Sequence, residues 1–191
     1  MWFVGYVVRK KSLWGIVMSC IALSVLASCA HDDHNHDDEE KIVTMTMVLT
    51  DTQAPSTTIR ATWSQPGGPG TTVTIDTLQL QAGRSYTGRM ELIGATGTNL
   101  TQEIRTLGTE HQFFFTPEDG AVGRVTFTIT DRDTRSLPLG LEYTVAVQSG
   151  SAVANGRVRI ELSHFDNPSQ KNGTTRSNET DIDIRMPIRI R

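Results

Sequence analysis

The sequence predicts an all-β fold: an antiparallel β-sandwich, immunoglobulin-like or related, of eight or nine strands, with a closed β-barrel as the alternative. Three observations carry this reading. Beyond residue 41 the apolar residues recur with a period of two, the spacing of a strand with one buried face. Threonine is frequent in the alternating runs, as suits a pleated, half-buried surface. Clusters of glycine, proline, asparagine and aspartate separate the runs, most plainly Pro66-Gly67-Gly68-Pro69-Gly70.

The first element is an export segment rather than part of the fold. Arg9, Lys10 and Lys11 precede an apolar run from Leu13 to Leu26, and Leu26-Ala27-Ser28 supplies small residues for a cut. The run is about 14 residues, short of the ~20 that span a bilayer, and Ser12, Gly15, Ser19 and Ser24 dilute it. Leu-Ala-Ser-Cys resembles the bacterial lipobox, which implies a signal peptide over residues 1–28 and lipid attachment at Cys29. Residues 29–40 then form an acidic tether, His31-Asp32-Asp33-His34-Asn35-His36-Asp37-Asp38-Glu39-Glu40, whose like charges repel and solvate. This composition resembles the acidic run after the lipidated cysteine in surface lipoproteins of the Bacteroidota. The resemblance implies an outer-membrane location, with exposure at the cell surface.

The sandwich domain is assigned to residues 41–191. Val43, Met45, Met47 and Leu49 alternate with Thr44, Thr46 and Val48, and Ile59, Ala61 and Trp63 with Thr58, Arg60 and Thr62. Further alternating runs are Val73–Leu80, Tyr86–Leu92, Val125–Ile129, Leu141–Val147, Val158–Leu162 and Ile182–Ile190. One stretch departs from period two: Ile104, Leu107 and His111 lie at helical spacing, so a short helix or turn leads into Glu110-His111-Gln112-Phe113-Phe114-Phe115. The longest stretch without periodicity is Phe165–Glu179, where Pro168 and Asn172-Gly173 favour an exposed loop between strands.

The Glu-His-Gln-Phe-Phe segment, the later Pro-Leu-Gly-Leu, the Leu-Ser-His near Asn-Pro and the closing Glu-Thr-Asp-Ile-Asp-Ile are similar to those of a group of small Bacteroidota lipoproteins of unknown function. The resemblance spans most of the mature chain and brings no activity with it.

Charge and cysteine content narrow the functional classes. From Lys41 onward fifteen basic residues balance fifteen acidic ones, so no nucleic-acid surface is expected. Cys20 leaves with the signal and Cys29 is modified, which excludes thiol catalysis, thiolate metal sites and disulfides from the domain. No His-Glu-x-x-His, Gly-x-Ser-x-Gly or phosphate-loop pattern is present, and the chain reads as a non-enzyme. Asp131-Arg132-Asp133 lacks the third oxygen ligand and the glycine of a calcium loop and reads as an Asx-type turn.

Histidines are the remaining chemical candidates. His31, His34 and His36, interleaved with carboxylates, suit zinc, nickel or copper(II), or are incidental to an acidic address. In the domain, extended strands place His111 on one face with Phe113 and Phe115, and His164 on one face with Val158, Ile160 and Leu162. If the two strands neighbour each other the imidazoles meet near the sheet end, with Glu110 or Asp166 to help bind a metal or orient a ring. The competing reading is two buried histidines bonded to backbone. Lys171, Asn172 and Arg176 mark the long loop as a partner surface. Two readings stay open at this point. One is a binding or accessory lipoprotein that captures a metal or small ligand for an outer-membrane transporter, and the other is a structural or adhesive sandwich.

Overall fold

The computed structural model describes residues 41–150 and 153–191. The predicted signal peptide, Cys29 and the tether histidines His31, His34 and His36 lie outside the described residues. The domain is a sandwich of two open sheets, not a closed barrel.

Each run of period-two alternation yields a strand, except that one run is split in two. β1 (Ile42–Asp51), β2 (Thr58–Ser64), β3 (Thr74–Ile75) and β5 (Ser85–Gly94) belong to the first sheet, with β7 (Val125–Ile129) and β8 (Glu142–Val147). Its order is β3-β2-β1-β5-β8-β7. β4 (Leu78–Leu80), β6 (His111–Asp119), β9 (Ala154–His164) and β10 (Glu179–Ile190) make the second sheet, in the order β4-β10-β9-β6. The pairings are antiparallel except that of β4 with β10. Pro117 sits in β6, which pairs only with β9, so the missing N–H falls on a sheet edge where it is tolerated.

The run Val73–Leu80, read as one strand, is two. Asp76 donates its N–H to the Thr62 carbonyl at 2.8 Å and accepts the Thr62 N–H at its carboxylate at 2.9 Å. That closes β3 onto β2, after which the chain crosses to the second sheet as β4.

Between the sheets lies the buried core. Met45, Met47 and Leu49 of β1, Tyr86, Met90 and Leu92 of β5, and Tyr143 and Val145 of β8 face it from one side. From the other side come Phe113, Val158, Ile160, Leu162, Ile184, Met186 and Ile188. Gly88 makes room for the largest of them. A methyl group there would lie 2.3 Å from a Tyr143 ring carbon and 2.8 Å from Leu49. The absence of a side chain in mid-strand is therefore what lets Tyr143 lie flat across β5.

The expected short helix is α1 (Thr101–Thr106), whose Ile104 plugs the end of the core. It delivers the chain through Leu107–Glu110 to the start of β6, at the end of the sandwich where β9 stops and β10 begins. None of the described helices is long and apolar enough to cross a membrane.

Candidate functional site

His111 opens β6 and His164 closes β9, and the antiparallel register pairs the two residues directly. Their rings meet edge to face with centroids 4.7 Å apart. The meeting of the two imidazoles, expected from strand faces alone, thus follows from register. The first carboxylate between them is Asp181, which sequence reasoning missed. Thr180 pairs with Ser163 and Ile182 with Leu162, so Asp181 is an extra residue in β10, a β-bulge. Strict alternation assigns Asp181 to the outer face beside Asp183. The bulge re-aims its side chain toward the histidines.

His111 is completely buried. Its Nδ1 lies 3.0 Å from the Leu107 carbonyl. A carbonyl only accepts, so in the neutral ring the proton sits on Nδ1 and Nε2 presents a lone pair. Nε2 makes no hydrogen bond and lies 3.5 Å from Asp181 Oδ2. Burial, followed in size by the opposing Leu107 bond, pushes the imidazole down to about 4, with His164 and Lys171 lowering it further. At neutral pH an electron pair on nitrogen therefore faces a carboxylate oxygen 3.5 Å away. Two facing acceptors of this kind favour a cation between them.

His164 Nδ1 is 3.5 Å from Asp181 Oδ1, so one carboxylate spans both rings. The ligand atoms of His111, His164 and Asp181 lie within 4.8 Å of one another. A separation of 3.5 Å is too long for a good hydrogen bond but close to the ~3.3 Å between neighbouring ligand atoms around a tetrahedral ion with bonds of ~2.0–2.1 Å. Two imidazoles and one carboxylate form a donor set that suits zinc, nickel or copper(II), and the Leu107 carbonyl behind His111 is the kind of support that fixes a ligating ring. The site opens on the His164 side. Asp166, 71% exposed, places Oδ1 3.6 Å from His164 Nε2. Beyond it lies a polar cavity of about 420 Å³ walled by Phe165, Gln170, Thr175 and Glu179 among others. Of the two carboxylates expected to assist, Asp166 lies at the rim, and no contact joins Glu110 to either ring among the described contacts.

The long loop differs from expectation. Lys171 is not a surface cation: it is 1% exposed, and its Nζ donates to the Gly108 carbonyl at 2.7 Å and to Asp133 Oδ2 at 2.8 Å. Asn172 is exposed, but its Oδ1 accepts the N–H groups of Thr174 and Thr175 in an Asx turn. Arg176 folds back across the sheet, 4.8 Å above the Phe114 ring and 3.2 Å from buried Glu161. Gln112 donates to the carbonyl of Gly173, which sits at φ 84°, and Arg135 donates to the carbonyl of Pro168. The loop is consequently an anchored wall of the site rather than a loose excursion, and Lys171 cannot meet a partner from it.

The Asx reading of the preceding turn holds. Asp131 accepts the N–H groups of Gly140 and Leu141, and Asp133 Oδ1 those of Arg135 and Leu137. Asp131 thus spends both oxygens on backbone, whereas Asp133 spends Oδ1 there and keeps Oδ2 for Lys171.

The fold and its end-on cluster define a β-sandwich with a His-His-Asp constellation at one end. No family model matches the chain, and no curated protein matches it. Among solved structures it is similar to domains 4 and 5 of the S-layer protein SbsC, at 14% identity over 75% of each chain and a TM-score of 0.30.

Proposed function

We propose that this protein is an outer-membrane lipoprotein, anchored through Cys29, whose sandwich domain captures a divalent transition metal at His111, His164 and Asp181 and presents it to an outer-membrane transporter. The observation that carries the reading is the buried His111 Nε2, aimed at the Asp181 carboxylate without a hydrogen bond. The tether histidines His31, His34 and His36, interleaved with carboxylates, add a second, weaker collecting segment. Three protein ligands and an open side suit capture and release better than a closed, four-ligand structural site.

The balanced charge of the folded part favours a second reading, a structural or adhesive sandwich with no small ligand. Cobalt(II) titration of the full chain separates the two. The capture reading expects visible absorption of a tetrahedral or five-coordinate ion that saturates at one equivalent in a variant with His31, His34 and His36 replaced by alanine. His111→Asn and Asp181→Asn should each abolish it. A tether-free variant that leaves the cobalt spectrum that of the aquo ion would sink the capture reading in favour of the structural one.

A further inference from the structure

The Lys171–Asp133 pair lies away from the metal ligands and is left unused by the proposed function. It joins the two longest irregular segments of the described domain, the connection from β7 to β8 and that from β9 to β10. Both side chains are out of water, at 0% and 1% exposure. We infer that Lys171 and Asp133 form an intramolecular isopeptide bond, a covalent staple between these two segments.

The surroundings can satisfy an amide as completely as the ion pair from which it would form. Asp133 Oδ1 accepts two backbone N–H groups, from Arg135 at 2.8 Å and Leu137 at 2.9 Å. That is the two-donor arrangement that stabilises an oxyanion when a nucleophile adds to a carbonyl carbon. Asp133 Oδ2, the oxygen that would leave, is the one in contact with Nζ at 2.8 Å. The Gly108 carbonyl accepts from Nζ at 2.7 Å and orients it. After condensation one N–H would remain for Gly108 and one carbonyl oxygen for Arg135 and Leu137, so no buried polar group would be left without a partner. The ammonium, by contrast, has a third hydrogen with no partner among the described hydrogen bonds.

The step balances without any co-reactant. One proton passes from Nζ to Oδ2 along their hydrogen bond, and the freed amine lone pair attacks Cγ. A second proton follows from nitrogen to oxygen, the Cγ–Oδ2 bond breaks, and one water leaves. The nitrogen keeps one hydrogen as the amide N–H. Desolvation pushes the Lys171 amine below its usual range, which favours the neutral nucleophile. The Asp133 carboxyl is held below its usual range: burial raises it, but Lys171 and the two backbone amides outweigh that. The resting pair is therefore ionic, and the proton transfer that frees the amine is an uphill first step. Proximity in a dry, fixed geometry is what makes it accessible. Such a bond would also give a domain whose only mature cysteine is at the lipid position the covalent cross-link that exported proteins otherwise obtain from disulfides.

Tryptic mapping of the denatured full chain tests this directly. Cleavage after Arg132, Arg135, Arg159 and Arg176, with Lys171 blocked, should yield Asp133–Arg135 joined to Ile160–Arg176 at the summed mass of the two peptides less one water. Lys171→Arg should release Asp133–Arg135 alone, with residues 160–171 and Asn172–Arg176 as separate peptides. Wild-type protein that releases free Asp133–Arg135 and is cut after Lys171, both fresh and after prolonged incubation at neutral pH, would overturn the inference. That result needs no variant and is unaffected by whether the metal site binds an ion.

Discussion

If His111 is a neutral ligand held by burial, acid should destabilise the metal-free domain through this one residue. In the unfolded chain its imidazole titrates near the ordinary ~6.5, and in the folded domain at about 4. Between these values the unfolded state binds a proton that the folded state refuses, so stability falls as pH falls. The loss starts below about pH 6.5 and is complete below about pH 4. A difference of roughly 2.5 units at 1.36 kcal/mol each gives on the order of 3 kcal/mol, undiscounted because the ring is fully buried. The groups that face the ring are His164 of β9, Asp181 of β10 and, at longer range, Lys171. His111→Asn keeps a donor for the Leu107 carbonyl but cannot titrate. Urea unfolding at several pH values from 7 to 4.5, in the presence of a chelator, should therefore show a steeper loss in the wild type, with the gap between the two proteins growing by roughly 2–3 kcal/mol. Parallel curves, with a gap constant to within about 0.5 kcal/mol, would refute the assignment of a neutral His111 and with it the lone pair on which the metal reading rests.

Further perturbations test the rest of the architecture. Gly88→Ala pushes a methyl group into the Tyr143 ring and Leu49, and should cost at least the ~1–3 kcal/mol of an overpacked core, read as a lowered melting temperature. Lys171→Met removes the partner of Asp133, whether held as the amide inferred above or as its ionic precursor, and leaves the carboxylate buried with no cation, so loss of at least about 3–5 kcal/mol is expected in denaturant unfolding. Deleting Ser169–Ser177 removes Lys171, Gly173 and Arg176, the anchors over Asp133, Gln112 and Glu161, so the shortened protein should unfold at lower urea rather than keep wild-type stability. Cys29→Ala should move the protein from the membrane to the soluble fraction, and mass spectrometry that finds Cys29 unmodified in the wild type would contradict lipid attachment.

Most strands are legible because one face of each is buried and the other is not. Met45, Met47 and Leu49, or Val158, Ile160 and Leu162, declare a face by alternation alone, and that face is the core. The meeting of His111 with His164 is legible for the same reason: both sit at strand ends on the buried parity, and only adjacency had to be added. Adjacency itself is not written locally. It depends on β9 lying between β6 and β10, a choice made by the packing of the whole sheet. The break between β3 and β4 is hidden because Val73, Ile75 and Leu78 sustain an apolar pattern while the decisive event, the two-point bond of Asp76 to Thr62, is a contact between strands.

Asp181, which sequence reasoning missed, and Lys171, which it misplaced, share a cause. Alternation assigns a side chain to a face by counting, and one inserted residue inverts the count. The bulge at Asp181 turns a carboxylate that alternation points outward into the third member of the part-buried cluster. Composition assigns a turn-rich polar stretch to solvent, yet a charged side chain follows its partners. Lys171 is drawn inside by the Gly108 carbonyl and the Asp133 carboxylate, 63 and 38 residues away. A lone buried ammonium would be prohibitive, whereas one met by a carboxylate and a carbonyl is tolerated and fixes the loop that carries it. That fixing bears on the site, because the same loop supplies Asp166 at the rim beside His164 and walls the polar cavity beyond. The polar residues that look most dispensable in the sequence therefore hold the mouth of the histidine cluster in shape.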